Sequence, residues 1–289
     1  MSLLLIRTAE IIISQMEKIK PGFTQDPIAE TLLLTVALRA FDARQKQPVL
    51  GDEKSVELMQ QIDYDFERFT KGSMMSRLGS NVRLKYFDNC AKKFIADHDQ
   101  PIVGLLGCGL DTRYQRLGDA RKAVFYELDL AEVIAFRKKL LPETENNHYL
   151  GYSIFDPTWM EKIKTAHPDG NFLFIIEGVL MYFEGAEVRS FLCALADTFP
   201  GSEICFDLLN VWSSKNTKHH DTLRNMQASF KWGLDDDQEL VKWHPGLELI
   251  SSESIMWQMG DYHWFPRLLR YVKKFRNASR MLHLRVGAA

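Results

Sequence analysis

The sequence lacks the cysteine patterns that mark zinc centres and disulfide-rich scaffolds. It has four cysteines in 289 residues, and no two of them form a C-x-x-C pair. Such scattered cysteines are typical of a reducing compartment, so we predict reduced thiols in a cytoplasmic enzyme. His219 and His220 have no further ligand at a metal-site spacing, and we therefore predict no metal. The cysteines are Cys90, Cys108, Cys193 and Cys205.

The sequence also lacks a strong excess of charge and a long apolar run. A formal charge of −2 gives no reason to expect nucleic acid or an anionic membrane as a partner. The apolar stretch 3–13 is interrupted by Arg7 and Glu10, is too short to span a bilayer and shows no signal-cleavage pattern. We expect an amphipathic helix there, and neither nucleic acid nor a membrane as a partner.

The length of the chain suits one large α/β domain, with or without a cap. Its 46% of apolar residues is ordinary for a soluble globular protein. Residues 1–95 have helical patterns with polar breaks, whereas apolar strands alternate with helical stretches from residue 101 onward. We predict an N-terminal helical segment over 1–95 and one α/β core over 96–289.

The stretch 101–129 organises the predicted core. A short apolar run of strand type begins at Pro101 and ends abruptly in Gly107, Cys108 and Gly109. Glycines let the backbone pass close to a ligand, because no Cβ stands in the way. A second apolar strand follows, so the stretch is typical of half a nucleotide-binding β-α-β unit.

Two acids, Glu127 and Asp129, end the second strand, after a helix that Asp111 or Thr112 can cap. Carboxylates at this point can accept hydrogen bonds from the diol of a ribose. A dinucleotide fingerprint has a third glycine where Thr112 stands, and that glycine helps a helix N-terminus to close on a pyrophosphate. S-adenosylmethionine has the ribose without the phosphate. The pattern therefore favours it over NAD, with a strand turn that binds no ligand as the alternative.

A fully apolar run over residues 172–176 ends in Glu177 and Gly178. Such runs are typical of parallel strands buried on both faces, and ligands bind at the carboxyl ends of these strands. Glu177 can therefore meet the α-ammonium of a methionine moiety, or it can pair with a neighbouring arginine. Met181 and Tyr182 come next, where they line the cleft or pack in the core.

The remaining elements follow from apolar runs and their breaks. We predict a helix that begins at the acidic run 235–237. We predict further strands over 148–154, 203–209, 247–251 and 280–286, and further helices over 131–141, 186–199 and 264–275.

Four motifs stand in order along the chain, at residues 106–113, 116–117, 126–130 and 176–182. Together they resemble the leucine carboxyl methyltransferase superfamily. Within it, they are most similar to the bacterial branch typified by the tetracenomycin polyketide-synthesis O-methyltransferase. The resemblance covers residues 30–210, and it is the combination of motifs that makes it specific.

The resemblance implies a class I methyltransferase fold of the α/β class. This is a Rossmann-like, seven-stranded, mostly parallel sheet with an antiparallel edge strand, plus an N-terminal helical cap. It implies S-adenosylmethionine as donor, S-adenosylhomocysteine as product and a carboxylate as the typical acceptor. Residues 1–95 would then cover the cleft or form a packing layer. A branch of the family that methylates a phosphatase tail uses a lysine near the N-terminus. That lysine has no evident counterpart here, which favours a small-molecule acid, such as a polyketide-like metabolite.

The resemblance also suggests roles for single residues. Arg83 stands where the family places an arginine on the cofactor carboxylate, which a guanidinium can bind through two hydrogen bonds. Ser153 and Ile154 replace the acid that the family has after its third strand, so a backbone N–H is left for adenine. Arg113 and Arg116 are candidates for steering the acceptor, or exposed residues of the first helix. The predicted cofactor site comprises Arg83, Gly107, Cys108, Gly109, Glu127, Asp129, Ser153, Ile154, Glu177 and Gly178.

A carboxylate acceptor is already ionised at neutral pH and needs no general base. This agrees with the lack of a recognisable base beside the motifs. We expect the protein to hold the reacting atoms in line and to exclude water. Two alternatives remain. One is an NAD(P) oxidoreductase, against which Thr112 and the missing Tyr-Lys or zinc pattern argue. The other is a methyltransferase-shaped binding protein without turnover.

Overall fold

The structure, a computed structural model, describes residues 18–22, 27–69, 74–118, 122–216 and 229–287. The predicted helix over 3–13 and the paired histidines at 219 and 220 lie outside the described residues. Within those five ranges, no helix is both long enough and apolar enough to cross a membrane.

The described part of the N-terminal segment is helical, as predicted. Nearly all residues of the stretch 32–40 are buried, because most of its side chains are apolar. The last helix of the segment ends two residues beyond the predicted boundary at residue 95. The helices are α1 (Pro27–Ala43), α2 (Glu53–Gln61) and α3 (Met74–Asp97), with a short 3-10 helix at Phe66–Phe69.

Seven strands form one sheet in the order β3-β2-β1-β4-β5-β7-β6. The first five strands pair in parallel. Strand β1 is buried along its whole length and β4 from its second residue, as expected for central strands covered on both faces. The strands are β1 (Pro101–Leu106), β2 (Val124–Asp129), β3 (Asn147–Gly151), β4 (Asn171–Ile176), β5 (Glu203–Leu209), β6 (Leu247–Ser254) and β7 (Ser279–Val286).

The predicted antiparallel edge of the sheet is present as a hairpin of β6 and β7. Strand β7 runs antiparallel to both β5 and β6, so it lies one place inside the edge that β6 forms. The burial of the two strands fits these places. Strand β7 is mostly buried, whereas every second residue of β6 from Glu248 to Ser252 is exposed, a pattern that suits an edge.

The helices predicted over 131–141 and 186–199 are present within one residue of the predicted bounds, whereas the helices over 158–166, 211–215 and 255–259 were not predicted. The predicted helix over 264–275 is split into two short helices, because residues 271 and 272 bond to carbonyls three positions back. The acidic run starts a short 3-10 helix, Asp237–Lys242. The helices are α4 (Arg113–Arg116), α5 (Ala131–Leu140), α6 (Thr158–Ala166), α7 (Gly185–Thr198), α8 (Val211–Lys215), α9 (Ile255–Met259), α10 (Trp264–Leu269) and α11 (Lys273–Arg276).

The sheet topology places four carboxyl strand ends side by side. Strands β2, β1, β4 and β5 are consecutive neighbours and run in the same direction. The residues that end or follow them therefore meet at one edge of the sheet. A ligand site is expected at this edge in parallel α/β sheets.

Candidate functional site

A cavity of about 790 Å³ opens at this edge of the sheet. Helices α1 and α3 line one wall, and the loops after β1, β2, β4 and β5 line the others. Its volume lies within the range of small-molecule sites in proteins. Nine of the ten predicted cofactor residues line it, namely Arg83, Gly107, Cys108, Gly109, Asp129, Ser153, Ile154, Glu177 and Gly178.

The bend after β1 has no side chain at Gly107. Gly107 has a φ of +75°, a backbone conformation that favours glycine. A Cβ at this position would lie 2.4 Å from Cγ2 of Val179. The backbone N–H groups of Gly107 and Cys108 both donate to the carbonyl of Leu128, which fixes the bend against β2. A ligand can therefore approach the backbone closely here.

Asp129 faces the cavity beside this bend. Its Oδ2 accepts a hydrogen bond from the N–H of Gly109 at 2.7 Å, and its Oδ1 accepts one from the N–H of Leu130 at 2.8 Å. Burial raises the pKa of this carboxyl, and the two backbone hydrogen bonds oppose the rise. Each oxygen retains acceptor capacity, so Asp129 can receive hydrogen bonds from a ligand diol.

Glu127 does not line the cavity, which corrects the prediction that it binds the ribose. It is fully buried and forms an ion pair with Arg137 of α5. Arg137 also donates to the carbonyl of Gly109 at 3.1 Å. The ion pair of Glu127 and Arg137 thus stabilises the glycine bend from the protein interior. Arg137 belongs to a run of three basic residues near the end of α5, and this sequence pattern gives no sign of its burial.

Glu177 pairs with two guanidiniums at the cavity wall. Its Oε1 accepts from Nε of Arg83 at 3.0 Å, and its Oε2 accepts from Nη2 of Arg113 at 2.9 Å. The predicted pairing with arginines is confirmed, and the contact with an ammonium stays a prediction for a side chain that lines the cavity. Arg83 bridges further to Asp207, at 2.8 Å from its Nη1.

Asp207 is a cavity residue that the sequence analysis missed. It lies near the carboxyl end of β5, is 1% exposed, and accepts a hydrogen bond from the N–H of Gly178 at 2.6 Å. The signal that could have revealed it is an acid inside an otherwise apolar strand. A buried carboxylate at the end of a parallel strand needs a nearby cation, because burying an unpaired charge is costly.

Arg113 and Arg116 are neither exposed nor free to steer an acceptor, which corrects both interpretations of them. Arg113 is 1% exposed and pairs with Asp88, Asp111 and Glu177. Arg116 pairs with Asp88 and Asp111 and does not line the cavity. Burial acts to raise the pKa of Asp111, but the two guanidiniums hold it well below its ordinary value.

A second polar network ties α1 to the glycine loop. Arg39 of α1 donates to the carbonyl of Leu110 at 2.7 Å and pairs with Asp52 at 3.0 Å. Asp52 in turn accepts from the hydroxyl of Thr112 at 2.6 Å. Thr112 therefore makes no cap, and Asp111 accepts from the N–H of Arg113 instead. The helix that follows has only four residues, which argues against a pyrophosphate site.

The charged groups that line the cavity among the described residues carry a net charge of −1. Three guanidiniums face four carboxylates, and no lysine or histidine lines the cavity in this part of the chain. The cationic groups are all ion-paired. The set is Arg39, Arg83, Arg113, Asp111, Asp129, Glu177 and Asp207.

Apolar side chains form much of the remaining cavity wall, and we call this set the apolar half of the cavity. Met181 and Tyr182 line it and are also buried, so both predicted roles apply to them. Burial raises the pKa of Tyr182 to about 12, which keeps its hydroxyl protonated at neutral pH. Methionines adapt to irregular ligands because their side chains are unbranched and flexible. The other apolar side chains of this half include Met75, Phe183, Phe230, Met256, Met259 and Phe275.

Comparison with known protein families identifies the chain. The family described as leucine carboxyl methyltransferase matches residues 5–196. The chain belongs to the leucine carboxyl methyltransferase family. Membership confirms the predicted resemblance and the predicted methyltransferase class, and it removes the oxidoreductase alternative.

Two relatives of this leucine carboxyl methyltransferase family member are similar over most of their length. The tetracenomycin polyketide synthesis O-methyltransferase TcmP of Streptomyces glaucescens is 30% identical over 265 residues, which cover 88% of this chain and 95% of the relative. The S-adenosyl-L-methionine-dependent methyltransferase dpfgK of Gibberella zeae is 29% identical and covers 86% of this chain and 90% of its own.

Solved structures support the class I methyltransferase fold. A Thermobifida fusca crystal structure described as a methyltransferase aligns with a TM-score of 0.58 at 16% identity, and the alignment covers 87% of this chain and 94% of that one. A DUF574 family protein from Streptomyces avermitilis aligns with a TM-score of 0.53 at 13% identity, over 87% and 97% of the two chains. At these identities the likeness concerns the fold alone.

Proposed function

We propose that this protein is an S-adenosylmethionine-dependent O-methyltransferase that methylates a carboxylate of an apolar small molecule. The observation that carries the proposal is the adjacency of four strand ends. It brings a bare glycine bend, Asp129, Glu177 and Asp207 into one cavity. The family and its relatives, two of them methyltransferases by name, support the enzyme class and the donor.

The charges of the cavity fit the methyl donor. S-adenosylmethionine carries a sulfonium, an ammonium and a carboxylate, so its net charge is +1, against −1 for the charged groups that line the cavity. When bound, it supplies an electrophilic methyl group on the sulfonium. Asp129 would bind the ribose diol, and Glu177 with Asp207 would face the ammonium. The backbone near Ser153 and Ile154 would serve the adenine.

The surroundings of Gly178 support the proposed role of Arg83 on the donor carboxylate. The φ of Gly178 is +71°, and a Cβ at this position would lie 3.3 Å from Nη2 of Arg83. The glycine thus leaves that nitrogen uncovered. Nε and Nη1 of Arg83 bind the two acids. We infer that Nη2 is the donor left for a ligand carboxylate.

The acceptor is held by its apolar body rather than by a cation. No lysine or histidine lines the cavity in the described part of the chain, and Nη2 of Arg83, the guanidinium nitrogen that we assign to a carboxylate, would be taken by the donor. The apolar half therefore has to orient the acceptor by packing. An ionised carboxylate needs no base, so the tasks left to the protein are alignment and exclusion of water.

The N-terminal segment contributes to that exclusion. Residues of α1 and α3, from Thr31 to Leu84, line one wall of the cavity. We propose that the segment 1–95 covers the donor and acceptor, and that residues 96–289 form the core that binds the donor. Arg39, Asp52 and Thr112 hold this cover to the glycine loop.

Turnover is the experiment that tests the proposal. The full chain is incubated with methyl-labelled S-adenosylmethionine and a panel of apolar carboxylic acids, with matching alcohols and amines. We expect methyl esters of at least one acid. Donor binding without transfer to any acid would favour the alternative of a binding protein without turnover. Transfer only to alcohols would overturn the carboxylate assignment.

A further inference from the structure

The exposed apolar side chains of the molecule are concentrated in one segment. Seven of the eleven large apolar side chains that are exposed in the described part of the chain fall within 16 consecutive positions. Single exposed apolar residues are ordinary, whereas a cluster marks an interaction site. At roughly half exposure each, they amount to an apolar patch on the order of 600 Å². They are Trp257, Tyr262, Trp264, Phe265, Leu268, Tyr271 and Val272.

We call residues 257–274 the aromatic–basic segment, because the same stretch is rich in cations. Four basic residues and one acid give it a formal charge of +3, whereas the whole chain carries −2, which leaves −5 for the rest. The expectation of no membrane partner was based on the net charge, and the net charge hides this local excess. The charged residues are Arg267, Arg270, Lys273, Lys274 and Asp261.

Cations and aromatic rings of this segment contact one another. The guanidinium carbon of Arg270 lies 4.6 Å from the ring centroid of Trp257, and that ring packs edge-on against Tyr271 at 6.0 Å. Lys85 of α3 extends the surface, since its Nζ lies 3.1 Å from the hydroxyl of Tyr262. A partner for this surface must therefore offer apolar contacts and negative charge together.

The segment also adjoins the apolar half of the cavity, where the proposed function places the acceptor. Met256 and Met259 of α9 and Phe275 of α11 line the cavity, whereas Trp264 and Leu268 of α10 do not. Trp264 is 65% exposed and Leu268 is 62% exposed. The same short stretch of chain thus forms a wall of the acceptor site on one side and the exposed patch on the other.

We propose that the aromatic–basic segment binds the surface of a bilayer with anionic headgroups, and that the acceptor acid reaches the cavity from that bilayer. Trp and Tyr favour the interface between headgroups and acyl chains, and Lys and Arg favour anionic headgroups. Such binding requires no membrane-spanning helix. A second copy of the chain is disfavoured as the occupant of a symmetric contact, because two surfaces of charge +3 would face each other. The role of the bilayer as a source of acceptor rests on the proposed function.

Sedimentation with vesicles tests the proposal on the full chain. The vesicles contain phosphatidylcholine alone or with about a third of phosphatidylglycerol. We expect binding to the anionic vesicles that is at least about tenfold stronger than to the neutral ones, and that weakens in high salt. Equal binding to both kinds of vesicle, or no binding to either, would overturn the proposal.

Two double variants assign the binding to the segment. We expect Trp264→Ser with Leu268→Ser, and separately Lys273→Glu with Lys274→Glu, to lower vesicle binding by about tenfold or more. The matched controls are Ile250→Ser, on the edge strand and 43% exposed, and Lys92→Glu with Lys242→Glu at exposed sites outside the segment. Controls that lose binding as strongly as the double variants would contradict the assignment.

Two further readouts separate the possible failures. The melting temperature shows whether each variant is folded. Light scattering shows whether Trp264 and Leu268 instead hold two copies of the chain together, and such a dimer would overturn the proposal. Calorimetry with S-adenosylmethionine and turnover of a water-soluble acid are measured on the same samples. If both persist while vesicle binding is absent, the bilayer proposal fails and the proposed function stands.

Discussion

The two halves of the cavity are built in opposite ways. The donor half consists of strand ends, a bare bend and acids that are paired or hydrogen-bonded in fixed geometry. The acceptor half consists of methionines and aromatic rings from α3, α9, α11 and the loop after β4. Fixed polar groups suit a ligand with polar atoms in set positions, whereas flexible apolar groups adapt to the shape of an apolar ligand. The comparison predicts that substitutions in one half leave the other half's ligand largely unaffected.

The largest effect is expected at the glycine bend. Gly107→Ala places a Cβ 2.4 Å from Val179 and forces a side chain into a positive-φ conformation. We expect the affinity for S-adenosylmethionine to fall by about 100-fold or more, because the bend must move. Calorimetry measures the affinity. Gly118→Ala is the control, since no atom lies within 4 Å of a Cβ there. Unchanged affinity in the Gly107 variant would show that the donor does not lie against the bend.

The next largest effects are expected at the two acids of β2, and the two acids should affect different quantities. Asp129→Asn should weaken binding of S-adenosylmethionine and S-adenosylhomocysteine by about 10- to 100-fold, since both share the ribose. Glu127→Gln should instead destabilise the fold by about 3 kcal/mol, because it leaves the guanidinium of Arg137 buried without its partner. Calorimetry and chemical denaturation measure the two quantities. A stronger loss of donor affinity in the folded Glu127 variant than in the Asp129 variant would reverse our assignment.

A smaller effect is expected in the acceptor half. Met256→Ala should raise the KM for the acid by about five- to tenfold through lost apolar contact. The dissociation constant for the donor should change less than about twofold. Steady-state kinetics measures the KM for the acid, and calorimetry measures the dissociation constant for the donor. The neighbouring Gln258→Ala is the control, because Gln258 does not line the cavity. A parallel loss of donor affinity would show that the two halves are not independent.

The smallest effect concerns acid stability. Burial acts to raise the pKa of Asp52, but Arg39 and its hydrogen bonds hold that pKa below the ordinary value. A carboxyl with a lowered folded-state pKa stabilises the fold above its unfolded pKa of about 3.9, and this contribution is lost as the pH falls further. Asp52→Asn should therefore destabilise the protein at pH 7 more than at pH 3. Denaturation at both pH values measures it, and an equal cost at both would contradict the charge interaction.

The sequence was informative about the donor half because local motifs define it. Gly107 and Gly109 stand where the backbone must bend, and the apolar run before Glu177 marks a buried parallel strand. Strand number and most element positions followed from the same periodicity.

The errors concern long-range pairing, which local patterns do not contain. Glu127 and Asp129 are two residues apart and look alike in sequence, yet only Glu127 meets Arg137 from another helix. Arg113 and Arg116 seemed free because Asp88, 25 and 28 residues earlier, is brought to them only by packing of α3. The acceptor half is assembled from elements almost 200 residues apart, and no motif marks it.

The most direct test of the account is calorimetry of the wild-type chain with S-adenosylmethionine and, separately, with NAD. The bare bend, the acid beside it and the four-residue helix predict saturable one-to-one binding of S-adenosylmethionine and no binding of NAD. Absence of heat with S-adenosylmethionine at millimolar concentration, or saturable binding of NAD, would contradict it.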